Sequence, residues 1–428
     1  MMRRLVPVIV LLCLIAPSLR ADDPVRLSLK EAEQRAVDNH PKIRVGHYNA
    51  LATGEIAREF KSAFYPSVTA SFTGAGAQDG TRIAAGGLNN PTILDRFAAG
   101  FSASQLLTDF GRTGSLVEGQ LLRAEAQQQD VTTRTAEVLL QVDRAYFGAL
   151  GAKAILQVAQ GTVEARQLVV EQVNALAASG LKSSLDVSFA KVNLAQAQLL
   201  LVQAKNDVEA AFAGLTAAIG STQPVAYALS DEPFPPPPPD DGAALVAQAL
   251  KDRPEIAAHR LTGEAASRFA SAERALWFPS VSLVGAAGLS PFHQTGLTDR
   301  YSALGVNVSV PLANGNLYNA RRSEAEFRVQ AENEELRDVQ NEIARDVTVA
   351  WLSARTAYQK VDLTNQLLTQ ASDALELAQG RYNLGLSSIV ELTQAQLNKT
   401  EAEIEQARAR YEYQARSVAL RFQLGTLH

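Results

Sequence analysis

The chain has 428 residues, 46 % of them apolar, and a formal net charge of −5. That apolar share belongs to chains that fold, and the mild negative charge, with no basic patch interleaved with aromatics, points away from a nucleic-acid partner. The single cysteine, Cys13, and the two methionines all lie at the N-terminus, which excludes a disulfide framework and a methionine ladder for soft metals.

The first residues read as a secretory signal. Arg3 and Arg4 precede an apolar run over 5–15, and Leu19-Arg20-Ala21 forms a cleavage site, so 1–21 is a signal peptide. Cys13 follows Leu12 rather than a small residue, which disfavours lipidation. Cleavage takes the charge from −5 to −8, because Arg3, Arg4 and Arg20 leave. No later run is long and apolar enough for a spanning helix. If the mature chain enters a membrane, it does so as strands.

Residues 29–64 predict a helix broken near Pro41. Strand-like alternation follows, with Val68, Ala70 and Phe72 on one side and Ser67, Thr69, Ser71 and Thr73 on the other. Phe97, Ala99, Phe101 and Ala103 continue it more weakly. No proline occurs between Pro91 and Pro224, and Val131, Val138, Val142, Ala145 and Ala149 recur at helical spacing. A helix of about 67 residues is therefore predicted over 112–179, roughly 100 Å long. The segment 178–184 interrupts it. Gly180 serves as a C-terminal cap, and the serines after it cap a return arm ending near Gly220.

A proline-rich linker over 224–242, with its stiff run at 233–239, carries the chain to a second set of the same elements. Residues 243–277 predict a helix broken near Pro254. Val281, Leu283 and Gly285, then Leu304, Val306, Val308 and Val310, predict two strands. A second long helix spans 318–384, with Leu336, Val339, Ile343, Val347 and Ala350 on one face. It turns through Tyr382-Asn383-Leu384-Gly385-Leu386-Ser387-Ser388 into an arm ending near Gly425.

The two sets align. Pro41 and Pro254, like Pro66 and Pro279, are 213 positions apart, whereas Gly180 and Gly385, like Asp186 and Glu391, are 205 apart. The eight-residue difference falls between the strands, so the first strand-to-strand loop is the longer. The chain divides into 1–21, 22–223, 224–242 and 243–428, the second and fourth being copies of one unit. Two half-length helices stacked end to end match one long helix, which suggests a helical wall. An ordinary soluble sheet has the same alternation as a barrel strand; the export signal and the long helices favour the barrel. Four strands cannot close a barrel, two chains give an eight-stranded barrel that side chains fill, and three chains give twelve strands with room for a lumen.

The segment 29–41, the Pro-Ser-Val strand starts, the exits Asp109-Phe110-Gly111 and Asn314-Gly315-Asn316, and the turn 381–388 together resemble TolC-family outer-membrane efflux proteins, in the family's order across the mature chain. The resemblance implies a mainly α fold with a β-barrel part: a homotrimer in outer-membrane lipid, with a twelve-stranded barrel and a long periplasmic α-helical barrel. It implies a periplasmic adaptor protein and an inner-membrane transporter as partners, and efflux or type I secretion as the task. Gly180, Leu181, Ser183, Gly385, Leu386 and Ser387 become candidate adaptor contacts, although helix capping also explains the glycines. Glu391 matches a position of an acidic ring, with Gln394 replacing a second acid; a glutamate at a helix start also complements the dipole. Tyr382 and Asp186 match a pair that latches hairpins by a hydrogen bond, with Ser387 where the family has an arginine.

An enzyme is not expected. The five histidines lack metal-ligand spacing, Asp109-Phe110-Gly111 lacks the rest of a kinase, and no cofactor is implied. A soluble periplasmic coiled-coil scaffold shares the helices and the signal but not the strand pairs. An adaptor has one hairpin rather than two.

Overall fold

The computed structural model describes residues 25–75, 83–85, 88–90, 96–222, 227–290 and 298–427. The signal segment 1–21 and the start of the linker lie outside them. The elements in order are β1 (Val25–Leu27), α1 (Leu29–Asn39), α2 (Pro41–Ser62), β2 (Ser67–Ala75), β3 (Ile83–Ala85), β4 (Leu88–Asn90), β5 (Arg96–Thr108), α3 (Arg112–Ala178), α4 (Ser184–Ala218), β6 (Tyr227–Leu229), α5 (Gly242–Asp252), α6 (Pro254–Arg274), a 3₁₀ turn (Ala275–Trp277), β7 (Ser280–Leu289), β8 (Arg300–Ser309), α7 (Leu317–Asn383) and α8 (Ile389–Gln423). The long helices α3 and α7 have 67 residues each, and the return arms α4 and α8 have 35 each.

Local chemistry sets these boundaries. Ser28 and Glu31 form a capping box at α1, and Pro41 occupies the first turn of α2, where its missing N–H is not needed. His40 and Arg253, extended at ψ 125° and 127°, separate the half helices. Each long helix starts after two successive left-handed residues, Phe110 and Gly111 before α3 and Gly315 and Asn316 before α7. The Asp109 carboxylate, one residue earlier, accepts bonds from the Thr113 N–H and hydroxyl. Asp109-Phe110-Gly111 is thus a strand-to-helix corner.

Four strands form one antiparallel sheet in the order β2-β5-β7-β8, with β2 and β8 as open edges. Residues directly opposite share a face. One face carries Val68, Ala70, Phe72, Phe101, Leu283, Leu304, Val306 and Val308; the other carries Ser67, Thr69, Ser71, Ser102, Ser104, Ser282 and Asn307. Phe72 is 75 % exposed and Leu304 79 %. Next to the sheet, α2 packs on α3, α3 on α6 and α6 on α7; farther away, α4 packs on α3, α3 on α8 and α8 on α7. The half helices therefore stack in pairs beside the long ones, α2 over α4 and α6 over α8. At the two junctions Gly220 and Gly425, both left-handed, abut the backbone of His40 and of Asp252–Arg253.

A parallel ladder of β1 with β6, with no counterpart in the sequence reading, closes the middle of the molecule. The Tyr146 hydroxyl lies 2.9 Å from the Leu27 carbonyl and 2.8 Å from that of Ser230, within reach of both. The linker run is tied down by Tyr413, which donates to the Pro236 carbonyl, and by Trp351, which donates to that of Pro239. The largest apolar cluster lies here, around Val138, Val142, Tyr146, Leu215 and Leu27. Asp143 on the same stretch of α3 is fully buried. Burial pushes its carboxyl up to about 8, helped by the charge of Glu33 on α1 and opposed by Arg421 on α8.

Candidate functional site: the hairpin tips

The far ends of both hairpins, α3–α4 and α7–α8, form the tip. Each long helix ends in the same glycine cap: Leu181 N–H donates to the Leu176 carbonyl and Leu386 N–H to that of Arg381, around Gly180 (φ 75°) and Gly385 (φ 74°). Glycine takes this conformation without the steric penalty that a Cβ would add. Ser183 then caps α4 and Ser388 caps α8. Ser387 does not cap; its hydroxyl is buried with no partner among the described residues. Leu181, Leu384 and Leu386 project as exposed apolar side chains.

Tyr382 is 2 % exposed and sits among Val170 and Val173 of α3, Ala190 of α4, and Ile389 and Leu392 of α8. The second hairpin thus inserts this side chain into the first. Its hydroxyl has no hydrogen-bond partner among the described residues. Burial raises its ionisation above the ordinary phenol range, and the nearby Asp186 charge raises it further.

The hydrogen bond expected between Tyr382 and Asp186 is not formed in this chain. The Asp186 carboxylate instead accepts the Ser183 N–H at 2.9 Å and hydroxyl at 2.8 Å, which holds it below the usual carboxylate range. Both of these bonds fall on one carboxylate oxygen, Oδ2, and complete the α4 cap. Lys182, which the sequence reading did not single out, places its ammonium 4.2 Å from the centre of the Tyr382 ring.

Glu391 lies in the first turn of α8, and its carboxylate pairs with Arg381 of α7 at 3.1 Å. Gln394 donates to Asn398 one turn on, at 2.8 Å. Two neutral bonds also cross between the hairpins, Gln172 to Asn383 at 3.3 Å and Asn193 to Thr393 at 3.0 Å. Lys182 and Arg381 carry no periodic signal, since their partners lie across a turn or 200 residues away; only the packing of one hairpin on the other brings them together.

With this geometry in hand, the chain compares as follows. The family model described as "Outer membrane efflux protein" matches residues 33–221 and 245–426. The outer membrane protein TolC of Escherichia coli is 24 % identical over 420 residues, 94 % of this chain and 83 % of that one. The alkaline protease secretion protein AprF of Pseudomonas aeruginosa is 24 % identical over 423 residues, 95 % and 86 %. A crystal structure of CusC superposes with a TM-score of 0.81 at 18 % identity, covering 95 % of both chains. The soluble scaffold reading is set aside: the chain belongs to the outer membrane efflux protein family, the outer-membrane channels of efflux and secretion systems.

Proposed function

We propose that three copies of this chain close into one channel, with a twelve-stranded barrel in the outer membrane and a helical tunnel reaching into the periplasm. One observation carries the reading. Every layer of the chain is an open arc that begins in the first half and ends in the second: β2 to β8 in the sheet, α2 to α7 beside it, and α4 to α7 towards the tip. An arc with different ends associates by head-to-tail contacts, which generate a ring where the rotation between copies closes. The ends carry what such contacts bury. On α4, Leu185, Phe189, Val192, Leu199 and Val202 are exposed, and on α7, Leu363, Leu367 and Leu377. Three arcs of four strands give a barrel wide enough for a lumen.

The sheet has the two faces such a barrel needs, apolar towards lipid and small and polar towards the lumen. Its strands of about ten residues, tilted by about 45°, span roughly the 25 Å apolar band. Tyr65, Phe110, Trp277, Phe278 and Tyr318 gather where the strands meet the long helices, with Trp277 edge-on to Tyr318 at 5.4 Å and Phe110 at 5.8 Å from Phe278. This is the place for an interfacial aromatic girdle.

In this reading the structure is two copies of one unit, 22–223 and 243–428, joined by the linker 224–242. Cargo arrives from an inner-membrane transporter through a periplasmic adaptor that engages the tips, where Gly180, Leu181, Ser183, Gly385, Leu386 and Ser387 lie. Glu391, with Gln394 beside it, is the acidic residue facing the entrance. The exposed leucines at the tip suit an apolar partner surface. The test is fractionation followed by gel mobility with and without heating, and conductance in planar bilayers. An outer-membrane, heat-modifiable trimer that forms pores is expected; a monomer in the soluble periplasmic fraction refutes it.

A further inference from the structure

We propose that the groove between α3, α7 and α8 is a binding site for a small organic carboxylate, with the guanidinium of Arg166 as its cation. The groove is away from the entrance: Arg166 lies roughly 20 Å along α3 from the glycine cap at Gly180. The inference goes beyond the channel reading and does not depend on it, because a single chain supplies the groove.

Arg166 occupies a position where the helix pattern calls for an apolar side chain. One heptad before it stands Ala159 and one heptad after it Val173, both 0 % exposed, and Arg166 itself is 4 % exposed. An ionised side chain in such a seam is costly unless a partner neutralises it. Its Nη1 is buried with no hydrogen-bond partner among the described residues. Burial lowers its ionisation, to about 10, which leaves it charged at neutral pH. A buried cation that the chain does not neutralise is a binding determinant for an anion.

The groove that Arg166 lines has a volume of about 460 Å³, within the range of small-molecule sites. Its α8 side contributes Gln396, Lys399 and Glu403, while Val158 of α3 and Leu375 of α7 add apolar surface. Glu403 is the one acid among the described lining residues, and it lies 3.5 Å from the Lys399 ammonium. Two cations against one acid leave the groove one positive charge in excess, which one carboxylate balances. A guanidinium presents parallel N–H donors that match the two oxygens of a carboxylate. Val158 and Leu375 suit the body of an organic acid, a surface that an inorganic anion leaves unused.

The test measures binding of benzoate to the full-length protein in detergent by isothermal titration calorimetry, with benzamide as the uncharged molecule of similar shape, and follows melting by circular dichroism. The parent should bind benzoate about tenfold more tightly than benzamide, and saturating benzoate should raise its melting temperature. Arg166→Met, which keeps the seam packed, should lose the preference for benzoate and melt at a temperature that benzoate does not change. Arg166→Lys should bind benzoate more weakly than the parent, because an ammonium has no fork of donors. Glu403→Gln should bind it about threefold more tightly, because the groove loses its one acid. Equal binding of benzoate and benzamide by the parent overturns the proposal, as does unchanged benzoate affinity in both Arg166 variants. If Glu403→Gln binds benzoate and the parent does not, Glu403 is the counter-ion of Arg166 and the proposal is again overturned. A protein that proves monomeric and soluble, yet binds benzoate through Arg166, refutes the channel reading and leaves the site standing.

Discussion

Asp143→Asn is the substitution whose effect on stability has an unusual sign. Asp143 is fully buried on α3 and faces Glu33 of α1, Glu232 of the linker and Arg421 of α8. Its carboxyl is pushed up to about 8, from 3.8 in an unfolded chain. Between those values the folded chain holds a proton that the unfolded chain releases. Stability from this group is therefore complete below about pH 4 and is lost as pH rises towards 8, by up to about 1.4 kcal/mol per unit. From pH 5.5 to 7.5 that is about 3 kcal/mol per chain. Asparagine has nearly the same shape and does not titrate, so the slope should vanish and the variant should be the more stable protein at neutral pH. The assay is circular dichroism at 222 nm during heating at one fixed rate, from pH 5.5 to 8.5, because irreversible unfolding of a large membrane protein is governed by rate. The parent should melt several degrees lower at the alkaline end, and the difference between parent and variant should widen with pH. His40, whose pKa burial lowers, changes stability in the opposite direction in both proteins and cancels in the difference. Parallel melting curves, or a variant weaker at every pH, would refute the reasoning. Glu33→Gln should reduce the slope without abolishing it, because burial is the larger cause.

Other substitutions separate the remaining parts of the argument. Gly220→Ala should cost more than Gly180→Ala in thermal unfolding. Both glycines are left-handed, a penalty of about 1–2 kcal/mol for alanine, but only at Gly220 would the new methyl carbon lie 2.9 Å from a backbone atom, that of His40. Phe72→Arg should reduce the yield of heat-resistant trimer, at about 2–4 kcal/mol for a cation at the lipid midplane. Thr69→Arg on the opposite face should leave assembly intact. Arg381→Gln should raise cation selectivity in reversal-potential measurements and Glu391→Gln should lower it, because the 3.1 Å pair masks the carboxylate; an unchanged reversal potential in both variants would remove Glu391 from the entrance.

The sequence by itself determined the helices and the four strands of the larger sheet. Proline positions, glycine caps and apolar spacing are local signals, which is why Pro41 and Pro254 mark the helix breaks, and why α3 and α7 begin and end within a residue or two of the positions the spacing predicts. Alternation identified both faces of the sheet, since the side-chain period of a strand is two. What only the tertiary structure decided depends on partners far along the chain. The β1–β6 ladder joins segments some 200 residues apart, and neither is long enough to show a period. Asp143 reads in sequence as an ordinary charge on a long helix; it is a strained acid because α1, the linker and α8 all close over it. At the tip, Asp186 and Tyr382 could be paired from a resemblance; in the folded chain Ser183 donates to one Asp186 oxygen and Lys182 lies over the Tyr382 ring. The Ser183–Asp186 bond is local, between residues three apart at the start of α4, whereas only the packed hairpins bring Lys182 within reach of the Tyr382 ring.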